Sequence, residues 1–157
     1  MSVILARIDD RLIHGQVTEG WCSKLKPENV LVVSDEIDSS DWHRELCLAS
    51  LPCCFDGTVV SVQDAAQAIN RLIDDPEPSY VLFESPKDAY TVVHNGARLK
   101  RINVGGMHSK KGKREILEYL FVDEADSLYL RKLEQSGVEL DFRDLPDHEN
   151  ADVMSRL

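Results

Sequence analysis

The sequence predicts an α/β fold: a single open, mostly parallel, doubly wound sheet with helices on both faces. Short apolar runs alternate with longer amphipathic segments along the whole chain, the rhythm of strands joined by crossover helices. The run over residues 29–34 is almost continuously apolar, as a strand buried on both faces requires. No repeat, low-complexity tract or linker divides the 157 residues, so residues 1–157 are expected to form one domain burying roughly 70% of the surface its unfolded chain exposes.

The first strand is expected over residues 2–8, followed by a helix over 16–25 with Val17, Trp21 and Leu25 on one face. The second strand covers 29–34 and leads through Asp35 to a helix over 41–51. A third strand, 57–62, precedes a helix whose apolar positions are Ala65, Ala68, Ile69 and Leu72, with Ser61 or Asp64 as its cap. The cluster Asp74-Asp-Pro-Glu-Pro78 breaks that helix. Strand four is 80–83, and Pro86 suits the first turn of a helix running to Asn95, with Gly96 at its end. Strand five is 101–104, a short sixth strand 118–122, a helix 123–135 closed by Gly137, and a last strand 138–142. The polar tail from Asp147 is expected to fray.

The segment Arg7-Ile-Asp-Asp-Arg-Leu-Ile-His-Gly-Gln-Val17 concentrates the chemistry. An apolar strand ends there in two carboxylates, an arginine, a histidine and a glycine before a helical pattern begins. In open α/β sheets the ligand site lies outside the carboxyl ends of the strands, and a helix start offers an anion free N–H groups and a positive dipole end. The same dipole disfavours imidazolium, so His14 is expected to be neutral near pH 7 with a ring nitrogen free to attack phosphorus. Arg11 is placed to clamp the oxygens of an arriving phosphoryl group, and Gly15 lets the backbone approach closely. Only loops after strand ends reach this edge, which adds Asp9, Asp10, Gln16, Asp35 and the loop after Val104 as candidates. In that loop Gly105 and Gly106 permit close backbone approach, and Lys110 or Lys111 can neutralise a phosphate. The glycines also suit an ordinary turn, and the lysines a solvated surface. Asp10 is read as orienting Arg11 or the loop, and Asp35 as a site residue or the start of a helix. His108 follows the glycines and is a candidate for the rim, while His43, His94 and His148 show no ligand spacing.

This segment resembles the phosphorylation-site signature of the IIB components of the mannose/fructose/sorbose family of the bacterial phosphoenolpyruvate-dependent sugar phosphotransferase system. Asn103-Val-Gly-Gly-Met107, then Lys110, Lys111 and Gly112, Val122-Asp-Glu-Ala-Asp126 and Leu133-Glu-Gln-Ser-Gly-Val138 are similar to the C-terminal half of that family in order and spacing. The resemblance implies that His14 takes a phosphoryl group from a IIA protein or domain and passes it to a sugar held by the membrane components IIC and IID. It further implies phosphorylation on Nδ1, a protein-phosphohistidine–sugar phosphotransferase activity needing no cofactor or metal, and a cytoplasmic protein that meets the membrane through its partners. A regulatory phosphocarrier not coupled to transport is the alternative within the family, and a homodimer is open.

Composition narrows the other classes. With 28 acidic against 18 basic residues and a net charge of −10, nucleic acid and anionic lipid are not expected as ligands. No apolar stretch approaches the about 20 residues a membrane helix needs. Cys22, Cys47, Cys53 and Cys54 lack paired spacing and read as reduced thiols, mostly small buried hydrophobes; Cys53-Cys54 stands where relatives of the family usually carry a proline-glycine turn. Asp9-Asp10 invites comparison with a receiver domain phosphorylated on aspartate, but Asp64 suits a helix cap and Asn103-Val-Gly-Gly106 supplies no lysine at the strand end. No G-x-G-x-x-G or Walker A loop follows a strand. Trp42 and Tyr90 are open between core and contact roles.

Overall fold

A computed structural model describes residues 2–157. Six strands form one sheet: β1 (Val3–Ile8), β2 (Asn29–Val33), β3 (Asp56–Val60), β4 (Ser79–Phe83), β5 (Arg101–Val104) and, late in the chain, Glu139–Asp141. Between the last two, Arg114–Leu117 and Leu120–Val122 form a separate antiparallel hairpin, β6 and β7, which makes Glu139–Asp141 strand β8. The order across the sheet is β3-β2-β4-β1-β5-β8, and each neighbouring pair runs parallel.

Alternation along the strands builds two cores. Leu31 and Val33 of β2, Val81 and Phe83 of β4, and Ile102 and Val104 of β5 face α4 (Val62–Asp74), α5 (Pro86–His94) and α6 (Glu124–Gln135). Ala65 and Ile69 of α4, Val92 of α5 and Leu133 of α6 are fully buried there, each larger side chain contributing about 1.5–3 kcal/mol. On the other face Val30, Val32, Tyr80 and Leu82 meet Val17, Trp21 and Cys22, carried by a π-helical segment (Gln16–Trp21) running on into α1 (Cys22–Leu25). Ser61, Ser85 and Asp123 each accept a backbone N–H three residues on and so start α4, α5 and α6.

Several boundaries differ from the sequence pattern. A one-turn helix, α2 (Asp35–Asp38), follows β2, with Ser34 as its cap. The next helix, α3 (Asp41–Ala49), stops two residues short of the expected 51, and none of its residues is buried. The sixth strand is half of the β6–β7 hairpin, which stays separate from the main sheet and whose Leu120 makes an isolated bridge to Met107 in the loop after β5. The tail does not fray: Val153 is fully buried, Met154–Arg156 forms a 3-10 turn, and Arg131 binds the Leu157 carbonyl. Trp42 is 66% exposed, whereas Tyr90 packs on the core and against Tyr129.

The strand order also locates a switch point. From β1 the chain leaves toward β2 on one side; from the adjacent β5 it leaves toward β8 on the other. The carboxyl ends of these two strands therefore open a crevice of the kind in which α/β sheets bind ligands.

Candidate phosphoryl-transfer site

The loop after β1 fills one side of that crevice. Asp9 is fully buried at its start, its backbone N–H bonded to the Phe83 carbonyl. Its Oδ1 accepts the Arg11 N–H at 3.1 Å and its carbonyl accepts the Leu12 N–H, a tight turn that carries Leu12 through a positive φ of 56°. That left-handed step costs a branched residue about 1–2 kcal/mol, and buried Leu12 is held in it by packing below the loop. The chain then rises into the π-helical segment, whose first N–H groups, Val17 and Thr18, bond the His14 carbonyl.

The His14 ring bridges two contacts. Its Nε2 lies 2.7 Å from Asp9 Oδ2, and its Nδ1 faces the Gln16 N–H at 3.3 Å. A carboxylate accepts, so Nε2 carries the ring proton; an amide N–H donates, so Nδ1 holds the lone pair. The side chain is 14% exposed. Burial by itself would push the Asp9 carboxyl up, but the His14 hydrogen bond, the charges of Arg7 and His14, and the Arg11 N–H outweigh it and hold Asp9 below the usual carboxylate range.

Beneath this pair lies Arg7, fully buried near the end of β1. Its guanidinium donates to Asp9 Oδ2 at 3.0 Å, to Asn103 Oδ1 at 2.5 Å and to Gln16 Oε1 at 3.4 Å, and sits 5.5 Å from the Trp21 ring centroid. Arg11 stands above it, 43% exposed, with Nη2 on the same Gln16 Oε1 at 3.4 Å and Nε 3.8 Å from Asp9 Oδ1. Gln16 therefore ties a buried arginine to an exposed one.

The expected residues sort accordingly. Arg11, His14, Gly15 and Gln16 share the first loop. Gly15 is helical at φ −54°, and the space a side chain would occupy there is open. Gly105 and Gly106 serve the site differently from the expected close approach to phosphate: a Cβ on Gly105 would lie 2.1 Å from Arg7 Cζ, so its absence makes room for the guanidinium. The Gly106 N–H reaches Asp9 Oδ2 at 3.4 Å. Asp10 orients the loop after β5 rather than Arg11, taking the His108 N–H at 2.7 Å and its Nδ1 at 2.5 Å. His108 is thereby fixed at the rim. Asp35 is not brought to His14; it opens α2 and accepts the Val62 N–H at 2.8 Å, fastening the start of α4. Lys110 and Lys111 are exposed, Lys110 beside Asp10 and Glu84 in a separate depression. Arg7 and Asn103 are absent from the sequence-based candidates, and Asp9 enters them only as a strand-end acid. A charge at the penultimate position of an otherwise apolar strand is the signal that marks Arg7.

The PTS system sorbose subfamily IIB component family model matches residues 3–157. The chain belongs to this family of IIB components. The fructose-specific EIIB component of Bacillus subtilis is 33% identical over 157 residues, covering the whole chain and 96% of that protein. The mannose-specific EIIAB component of Escherichia coli is 34% identical over 164 residues, of whose length this chain spans 50%. The crystal structure of the IIBSor domain of the sorbose permease of Klebsiella pneumoniae superposes with a TM-score of 0.89 at 30% identity, covering 99% of this chain and 96% of that one. A IIB component of this family has a phosphocarrier role in sugar transport and works with IIA and membrane IIC/IID partners. Among the described residues of this IIB chain no helix is long and apolar enough to cross a membrane.

Proposed function

We propose that this IIB chain is a phosphohistidine carrier whose acceptor atom is Nδ1 of His14. The observation that carries the reading is the orientation of the ring: Nε2–H is committed to Asp9 at 2.7 Å, which leaves the Nδ1 lone pair for phosphorus, held only by a long contact to the Gln16 N–H. In the accepting step the Nδ1 lone pair forms the new P–N bond while the bond from phosphorus to a phosphohistidine on IIA breaks and its electron pair returns to that donor ring. Arg11 and the freed Gln16 N–H meet the phosphoryl oxygens, and the Asp9 carboxylate balances positive charge that develops on the ring. In the donating step a sugar hydroxyl presented by IIC and IID attacks the same phosphorus, its proton leaving on the acceptor side, and Nδ1 recovers its electron pair. The chain then acts at the cytoplasmic face, its contact with the membrane made through those partners.

The test is intact-mass measurement after exposure to a phosphorylated IIA partner or to phosphoramidate, with His14→Ala alongside. One phosphoryl group on the wild type alone, stable to alkali and lost in acid, supports the reading. A label that persists in His14→Ala, or that alkali removes, places the acceptor on a carboxylate and overturns it.

A further inference from the structure

A fully buried arginine beneath the reacting histidine needs a reason. Taking a guanidinium out of water is costly, and a well-packed apolar residue would serve stability at least as well. Arg7 is nevertheless surrounded for a purpose. Asn103 reaches it across 96 positions of sequence, Gly105 leaves it space, Trp21 lies against it, and one carboxylate oxygen, Asp9 Oδ2, is shared between it and His14 Nε2. Arg7 Nε finds no acceptor among the described residues, so the group is held for its charge and its two terminal nitrogens rather than for complete hydrogen bonding.

We propose that Arg7 is the positioning residue of the site: its guanidinium neutralises the Asp9 carboxylate and thereby sets how strongly Asp9 holds the Nε2 proton of His14. Without that charge the carboxylate would stabilise imidazolium, whose Nδ1 has no lone pair to attack phosphorus. With it the carboxylate stays ionised, fixes the ring, and shares its charge between two donors. The inference rests on His14 as the phosphoryl acceptor. Arg7 and the His14–Asp9 pair are also faced by Arg11 and Gln16 from the loop, Tyr80 from β4, the Arg143 carbonyl beyond β8 and Tyr119 from the β6–β7 turn, with Cys22 of α1 acting on Tyr80 and with Asp141 and Asp144 acting on Tyr119. Asp141 is already bound by the Arg143 fork at 2.7 and 3.0 Å, so Arg7 is the cation that Asp9 has at contact distance within the core.

Arg7→Met, Arg7→Lys and Gly105→Ala are compared with the wild type, His14→Ala assigning the resonance. Ring 15N and Asp9 carboxyl 13C shifts are followed against pH, and phosphoryl uptake from phosphoramidate is timed over the same range. Removing a positive charge must raise the proton affinity of the pair. In Arg7→Met the pair is expected to take up its proton about one pH unit or more higher, with uptake slowed up to about tenfold at pH values below that transition and recovered above it. Arg7→Lys, which keeps the charge, restores the wild-type profile. Gly105→Ala, whose methyl displaces the guanidinium, shifts the same way as Arg7→Met and decides the matter if Arg7→Met does not fold. Wild-type titration in folded Arg7→Met or Gly105→Ala overturns the inference while leaving the carrier reading intact. Label on His14→Ala would sink the carrier reading without altering the titrations.

Discussion

Asp9→Asn changes one atom and should be among the most damaging substitutions in the protein. Both carboxylate oxygens accept: Oδ2 from His14 at 2.7 Å, Arg7 at 3.0 Å and the Gly106 N–H at 3.4 Å, Oδ1 from the Arg11 N–H at 3.1 Å. An amide keeps an acceptor oxygen on only one of these two sides, so in either flip its NH2 points at a donor. The larger loss is charge, because Arg7 stays buried without a counterion. Breaking a buried ion pair from one side costs about 3–5 kcal/mol, out of a total stability of about 5–15 kcal/mol. At roughly 2–4 °C per kcal/mol for a domain of this size, the melting temperature should fall by about 6–20 °C. The His14 ring also loses the acceptor that selects its tautomer, so phosphoryl uptake in the surviving folded protein should drop by at least about 100-fold. Urea unfolding followed by circular dichroism, with phosphoramidate uptake timed below the transition, measures both. An Asp9→Asn protein within about 1 kcal/mol of the wild type would refute the burial and charge argument.

Gly15→Ala should behave in the opposite way. The residue is already helical and nothing lies within 4 Å of the added methyl, so stability should be unchanged or raised by up to about 1 kcal/mol, while transfer from a protein donor slows as the open side of the loop fills; equal or faster transfer would show that the donor does not approach there. Stability should be flat between about pH 5 and pH 8 and decline below about pH 4. Asp9 and Asp141 are held below the usual range, burial opposing and the His14, Arg7 and Arg143 contacts prevailing, so their contribution is complete above the unfolded value and is lost as pH falls through the folded one. Asp88, pushed up chiefly by burial and by Glu84 and Asp35, works against this trend, and a urea midpoint that rises on acidification would contradict the sign. Among the thiols, exposed Cys53 and Cys54 should alkylate rapidly in the folded protein at mildly alkaline pH. Cys22 should resist, since burial and then neighbouring Cys54 push its thiol up to about 11; four equal rates by peptide mass spectrometry would refute this.

What the chain discloses before it folds depends on whether the signal is local. Strands β2 and β4 announce themselves because burial on both faces leaves no polar alternation, and the caps Ser61 and Asp123 sit where their own N–H partners lie three residues on. The β6–β7 hairpin is concealed by its exposure: Arg114 and Glu115 are solvent-facing, so only the Leu120–Val122 half looks like a strand. Helix α2 is a single turn, too short for any periodicity, and its Asp35 looks free until Val62, 27 residues later, is seen to bind it. The same division runs through the site. His14, Arg11 and Gln16 are neighbours in sequence and are legible together. The Arg7 network is not, because Asn103 lies in, and Gly105 directly follows, a strand that meets β1 only in the sheet, and a charged residue within an apolar strand passes for an outward-facing one.

Long-range 1H–15N correlation of His14 in the phosphorylated protein distinguishes phosphorus on Nδ1 from phosphorus on Nε2. Phosphorus is expected on Nδ1, with Nε2 still protonated and bonded to Asp9. Phosphorus on Nε2, or a ring whose Nε2 has lost its proton to a neutral Asp9, would contradict this expectation.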